Sequence, residues 1–224
     1  YYNIMHGKYV KLDAPAEPVY SSDTKMFFPR MYSSADPSYA DFYNIYTNGN
    51  GRYVEGSDAK IPTMGANLKY FFDYQMNFMY WRYFLWNFVG RQNDLQASIP
   101  GDIYKGNWES GITFLDKARL GDQSEGPAYI VHSRAKNHFY FLPLILGLIG
   151  LWYQYKKDKR NFVVTLLLFF MTGIAIILYL NQPPYQPSER DYAYAGSFYA
   201  FAIWIGIAAM WLAEVMKKLV KKPV

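Results

Sequence analysis

Hydrophobic and polar positions divide the chain near Asn137. Before it, polar, aromatic and turn-forming residues follow one another with little sustained period. After it come long uncharged apolar runs, separated by short charged or proline-rich links. Three runs predict membrane-spanning helices: FYFLPLILGLIGLWYQY over 139–155, NFVVTLLLFFMTGIAIILYL over 161–180 and YAGSFYAFAIWIGIAAMWLA over 194–213. None contains Asp, Glu, Lys or Arg. A bilayer core about 30 Å thick needs roughly 20 apolar residues as a helix, and three such runs in succession argue against core helices of a soluble protein. The first run is the shortest and holds Pro143.

The half over 1–137 reads as a loop-rich extracytoplasmic segment. Residues 1–66 are dense in turn formers, with NGNG at 48–51 as the strongest turn signal and a short hairpin there as one option. FFPRMYSS (27–34) sets Arg30 among aromatics and hydroxyls, either as an anion site or as a loop pinned by Phe27 and Phe28. The densest aromatic stretch, 67–96, has helical length near 67–90, with Gly90 suited to a helix end. Asp73 and Asn77, and then Gln75, Met79, Arg82 and Trp86, mark its polar stripes. Such a helix lies in the membrane interface or forms a fourth span with Asp73 and Arg82 turned inward. The interfacial placement is preferred, because a span would put residues 1–66 in the cytoplasm.

Charge then orients the spans. The chain of 224 residues carries a formal charge of +5. Much of the basic excess sits in KKDKR (156–160) and KKLVKK (217–222), beside the apolar runs. The positive-inside rule places both in the cytoplasm of an inner membrane protein, and residues 1–137 and 181–193 on the far side. Aromatics are 20% of the residues and cysteine is absent, which excludes disulfides and thiolate metal sites. His6, His132 and His138 are too scattered for a metal triad. Phosphate-loop, nucleophile-elbow and nucleic-acid patterns are missing too. Beginning at Tyr1 and ending just past a span, the chain reads as an internal piece of a longer protein.

What remains is a set of membrane-surface groups. GRQNDLQ (90–96) clusters Arg91 and Asp94 at the aromatic helix end, as caps and a solvated acid or as the lining of a cleft. GNWESGITFLD (106–116) sets Trp108 beside Glu109. NQPPYQPSERDYAYAGSFYAF (181–201) puts Glu189, Arg190 and Asp191 against the third span. That triplet either caps the span and pairs internally or serves a ligand.

Together YWRYFLWNFVGRQND, NWESGI, FFPRMYSS and PPYQPSERDYAYAGSFYAF resemble the DUF2723 family of Bacteroidota membrane proteins, related to a eukaryotic protein O-mannosyltransferase and classed with GT-C glycosyltransferases. The resemblance implies a polyprenyl-phosphate sugar donor held at the membrane face and an exported protein as acceptor. It implies that the catalytic acid lies before Tyr1, leaving no catalytic residue assigned here. Arg190 would then grip the phosphate through a bidentate contact, with Arg91 or Arg82 as a second contact. Glu189 and Asp191 would orient Arg190 or bind sugar hydroxyls. Tyr185, Tyr192 and Tyr194 would stack on the sugar or anchor at headgroup depth, and Trp81 and Trp108 would face the acceptor.

Two functions follow. One is a part of a membrane glycosyltransferase acting on a lipid-linked sugar, with Arg190, Glu189, Asp191, Arg91, Asp94, Arg82 and Trp108 as substrate-binding residues and no metal. The other is a non-enzymatic membrane scaffold in envelope assembly or secretion. Convergence of Arg190, Arg91 and Asp94 on one cleft separates them. The expected fold is all-α and polytopic, with three transmembrane helices over 138–224, an interfacial aromatic helix and loop-rich extracytoplasmic segments. Nucleic acid is not an expected partner.

Overall fold

A computed structural model describes residues 2–5, 7–11, 22, 25–31, 36–48, 50–53, 60–185 and 191–220. Its second half is a stack of apolar helices: α6 (Leu142–Lys157), α7 (Lys159–Met171), α8 (Ile174–Leu180) and α9 (Asp191–Val220). Asp158 turns the chain between the first two, its carboxylate accepting the Asn161 N–H at 3.1 Å as an N-cap. Thr172 and Gly173 break the line between α7 and α8.

Two stretches are long and apolar enough to cross a membrane, Lys159–Leu180 with 22 residues and Tyr192–Val220 with 29. They are consistent with association of the chain with a membrane. The expectation of three spans is corrected here, because α6 has only 16 residues. The reason lies in its first turn. Tyr140 and Phe141 take left-handed backbone angles (φ 52° and 61°), and Phe139 and Tyr140 donate their N–H groups to Val89 and Ser110 at 3.0 and 3.1 Å. Aromatic residues read as the start of a span therefore belong to a polar loop region instead.

α6 lies closely along α9. A Cβ added at Gly150 would sit on the carbonyl oxygen of Trp204, and one at Gly147 would enter the Phe201 ring. Small residues let helices approach closely where lipid supplies no hydrophobic drive between them. Polar groups fix the register: Trp204 Nε1 donates to Gln154 Oε1 at 2.7 Å, and Tyr153 OH to Glu214 Oε1 at 2.5 Å.

The all-α expectation is also corrected. The chain is mostly helical, but the described residues include three two-stranded antiparallel sheets. β1 (Tyr2–Met5) pairs with β2 (Lys8–Lys11), β3 (Arg52–Tyr53) with β4 (Lys60–Ile61), and β5 (Gly90–Arg91) with β6 (Asn137–His138). At two to four residues each, these strands are too short to show a period of two. A helix, α1 (Ser38–Thr47), also fills part of the stretch read as irregular, and Asn48 of NGNG closes it in the left-handed conformation.

The aromatic stretch forms one continuous helix. It runs through α2 (Met64–Lys69), a π-helical segment (Tyr70–Trp81) and α3 (Arg82–Phe88), starting at Thr63, whose hydroxyl accepts the Ala66 N–H at 3.2 Å. One side of it, Tyr70, Tyr74 and Phe78, packs with Phe42, Tyr43 and Tyr46 of α1. Another, through Tyr80, Tyr83 and Phe84, packs on Tyr194, Phe198 and Phe201 of α9. The wider π coil shifts side chains away from the i, i+4 register, so stripes read at 3.6 residues per turn do not run straight.

A buried polar seam ties this helix to the end of α8. Gln75 Nε2 donates to Asn181 Oδ1 (3.1 Å) and to the Gln182 carbonyl (3.0 Å), and Tyr70 OH donates to the same carbonyl (2.9 Å). Arg30, 6% exposed, gives one guanidinium N–H to the Leu178 carbonyl at 3.0 Å and lies 4.1 Å over the Phe28 ring. It is therefore a helix C-terminal cation. Burial lowers its pKa, against the opposing influence of Tyr70. Of the two phenylalanines before it, Phe28 packs edge-on against Phe71 while Phe27 is 94% exposed.

Candidate functional site

The three segments around Gly90, Trp108 and Asn137 build one wall. Arg91 bridges Trp108 on one side and pairs with Asn137 on the other, while Gly90 pairs with His138. Gly90 has φ 139°, and a Cβ there would strike the carbonyl oxygens of Glu109 and Asn137, so the three strands meet only because this residue has no side chain. Strand alternation then sends Arg91 and Trp108 to one face and Glu109 and His138 to the other. α4 (Thr113–Leu120) folds back along the wall, and the short α5 (Ala128–Val131) follows it. Asp116 in its first turn is buried, and accepts the N–H groups of Ser110 and Gly111 at 2.9 and 2.8 Å and the Ser110 hydroxyl at 3.0 Å.

A groove of about 590 Å³ runs between the aromatic helix and this wall, lined among others by Lys69, Asp73, Arg82, Trp108 and Arg119. Arg119 lies 3.7 Å over the Trp108 ring and donates to the Trp108 carbonyl. Burial lowers its pKa, while Asp116 and Glu109 act to raise it. Arg82 is buried, donating through Nε to the Phe78 carbonyl at 3.0 Å and through NH1 to the Gly106 carbonyl. The groove thus combines three cations, one carboxylate and an indole.

On the other side of the wall is a cleft of about 330 Å³, lined by Glu109, Asp116, Lys117, Asp122, Lys136 and His138 among others. Glu109, only 8% exposed, has Lys136 Nζ at 3.1 Å and His138 Nε2 at 3.3 Å from its two oxygens. At the rim Lys117 donates to Asp122 at 2.8 Å, and this bond, with those from Ser124, holds the Asp122 carboxyl well below its ordinary pKa.

Of the residues anticipated from sequence, Arg82 and Trp108 share the groove. Arg91 does not line it; its guanidinium stacks 4.1 Å over Trp86. Asp94 is exposed. Glu189 and Arg190 lie outside the described residues, as does the side chain of Asp191. Tyr194 is fully buried and donates to Gln182 Oε1 at 3.1 Å, so it offers no free stacking face, while Tyr185 packs edge-on against Phe42 at 5.2 Å and stays 39% exposed. Tyr192 is exposed. Trp81 packs edge-on against Phe84. Sequence reading missed Lys69, Arg119, Lys136 and the pairing of Glu109 with His138. The signal available was the compact WESGITFLDKAR, whose turn at Gly111 brings the helix back over Trp108. Among the described residues no cluster of acids and histidines suits a metal ion.

Comparison with known proteins gives one family model, "Family of unknown function (DUF8416)", matching residues 1–72. This overturns the resemblance to DUF2723 and the kinship to O-mannosyltransferases drawn from it. The motifs behind that resemblance are largely aromatic, and in this fold many of those aromatics pack against the apolar helices. No curated protein and no solved structure matches the chain.

Proposed function

We propose that this chain is part of a membrane glycosyltransferase and seats the sugar-phosphate head of a polyprenyl-phosphate donor in the groove beside the aromatic helix. The observation that carries this reading is the convergence of Lys69, Arg82 and Arg119 with Trp108 on one groove of about 590 Å³. That size lies within the range of small-ligand sites, and cations with an indole suit a phosphorylated sugar. Arg82 is buried and gives bonds to two backbone carbonyls, whereas Arg119 is exposed and gives one to the Trp108 carbonyl, so Lys69 and Arg119 carry the phosphate contact, and Arg82 shapes the floor. The orientation that accompanies this reading sets KKDKR and KKLVKK in the cytoplasm and the groove on the opposite face of the membrane. The acceptor is an exported protein.

A scaffold without catalysis is the second reading. It is favoured by Arg91, stacked on Trp86, and Asp94, exposed, both away from the groove. Titration of the chain in lipid nanodiscs with a short-chain polyprenyl-phosphate hexose separates the two. The donor reading expects saturable binding, competed by polyprenyl phosphate and weakened about tenfold by Arg119→Ala or Lys69→Ala, the loss of a charge-assisted contact. Absence of saturable binding, or binding indifferent to both substitutions, sinks it and leaves the scaffold.

A further inference from the structure

We infer that Phe27 and its exposed neighbours form a lipid-contact finger, through which the first half of the chain rests on the bilayer at the end of Lys159–Leu180. FFPRMYSS, read from sequence as an anion site or a pinned loop, has no part in the groove. Its tie to the span is direct. The Leu178 carbonyl and Asn181 Oδ1 accept from an Arg30 guanidinium nitrogen at 3.0 and 3.3 Å, and the Pro29 carbonyl accepts from Asn181 Nδ2 at 3.4 Å. Phe28 packs on Phe71, in the cluster that holds Ile177 and Leu180. Phe27 stands two residues before Pro29, so its Cα lies within about 7 Å of the Pro29 Cα. Its ring is nevertheless almost wholly exposed.

A single exposed phenylalanine needs no explanation. This one belongs to a patch. Leu178 and Tyr179 of α8 are exposed beside the tie, and so is Phe72, whose ring is 5.0 Å from that of Phe71. Further along, the same span exposes Leu167, Phe170 and Met171. The second span fixes the level. Tyr194 OH donates to Gln182 Oε1 at 3.1 Å, and a Cβ at Gly196 would meet Thr172. The start of Tyr192–Val220 therefore runs antiparallel beside the end of Lys159–Leu180. Both span ends, and Phe27 with them, reach the same face of a bilayer, at the depth where aromatic rings gather. Lys25, two residues before Phe27, is exposed as well. A cation beside an apolar ring suits a headgroup phosphate above an acyl chain, a pairing that contact with a second copy of this chain does not call for. The contact requires the two spans to cross a bilayer, and it is independent of whether the groove takes a lipid-linked donor.

The chain has no cysteine, so Phe27→Cys accepts a single nitroxide label in the whole chain, in nanodiscs of phosphatidylcholine and phosphatidylglycerol. Leu167→Cys, exposed at mid-span, reports separately on the crossing. Molecular oxygen concentrates among acyl chains and a nickel chelate in water, so their collision rates with the label tell the two environments apart. The expected result is an excess of oxygen over nickel collisions at both positions, reversing the order for the same label free in buffer. 4-Fluorophenylalanine at position 27, read by fluorine relaxation with the same two reagents, repeats the measurement with the ring kept. The answer then depends neither on the label nor on the folding of Phe27→Cys. Three outcomes overturn the inference. Nickel dominance at 27 with oxygen dominance at 167 leaves the finger in water while the span stands. Shielding of 27 from both reagents puts it against protein, a second copy included. Nickel dominance at 167 removes the span that the contact requires.

Discussion

Two seams hold this chain together, and they are made in opposite ways. Between α6 and α9 the contact is close and mostly apolar: Gly147 and Gly150 admit Phe201 and Trp204 at backbone distance. Between the aromatic helix and the end of α8 the contact is polar and buried, built from Arg30, Gln75, Asn181 and Gln182. The difference follows from what the backbone does at each place. In α6 and α9 the peptide groups bond within their own helices, so side chains need only fill space. At Leu178–Gln182 the helix ends, and its carbonyls need donors from elsewhere. The polar seam meets that need incompletely. Among the described residues, Arg30 Nε, Gln75 Oε1 and Gln182 Nε2 are buried without a hydrogen-bond partner, so this seam defines position more than it adds strength.

The largest effect should come from closing the apolar seam. Gly150→Ala puts a methyl group against the Trp204 backbone, which gives way less readily than a side-chain tip. A cost of about 3 kcal/mol, the upper part of the usual range for overpacking, is expected. Thermal unfolding in detergent reads it, with Gly206→Ala as the matched control, because a Cβ at Gly206 meets no atom within 4 Å and helix propensity alone should favour it. Equal behaviour of the two variants would mean the close approach is not what holds α6 to α9. A smaller loss, about 2 kcal/mol, is expected for Arg30→Met, which leaves the Leu178 carbonyl without its guanidinium donor. Arg30→Lys should recover only part, since an ammonium keeps the charge and loses the planar fork. Full recovery would reduce the polar seam to simple charge.

The same contrast decides what the sequence disclosed. Long uncharged runs read directly, and Lys159–Leu180 and Tyr192–Val220 lie where the apolar pattern put them. The first run misled because Phe139, Tyr140 and Phe141 are as apolar as a span yet serve the wall, through backbone bonds to Val89 and Ser110. Backbone pairing of that kind leaves no mark on side-chain hydrophobicity. Arg82 and Trp108 were named from charge and aromaticity alone, and they do share a groove. Arg91 has the same chemistry as Arg82 but stacks on Trp86, a choice made by a strand register of two residues. Lys136 and the pairing of His138 with Glu109 escaped notice because Glu109 is brought to them by the pairing of Gly90 with His138.

The gentlest probe leaves the chain unaltered and raises the pH. Tyr43 and Tyr46 on α1 are buried against Tyr70, and burial pushes both up to about 12, with the hydrogen bond to Tyr70 moderating Tyr43 and Asp73 adding to the rise at Tyr46. In the unfolded chain tyrosine ionises near 10. Their neutral, buried state is therefore an undiminished source of stability below pH 10, and that stability is lost progressively as pH climbs from 10 through 12. Nothing should change at neutral pH, which makes this the smallest effect under ordinary conditions. In the alkaline range α1 should separate from the aromatic helix while α6 and α9 remain packed, because the close contacts of Gly147 and Gly150 with Phe201, Trp204 and Ala208 involve no hydroxyl, and the Tyr153–Glu214 bond is the part of that seam alkali would break. Tyrosinate absorbance followed alongside helical circular dichroism distinguishes the steps, and Tyr43→Phe should move the first of them to higher pH. A single transition unaffected by that substitution would show that the α1 contact and the α6–α9 seam unfold as one unit.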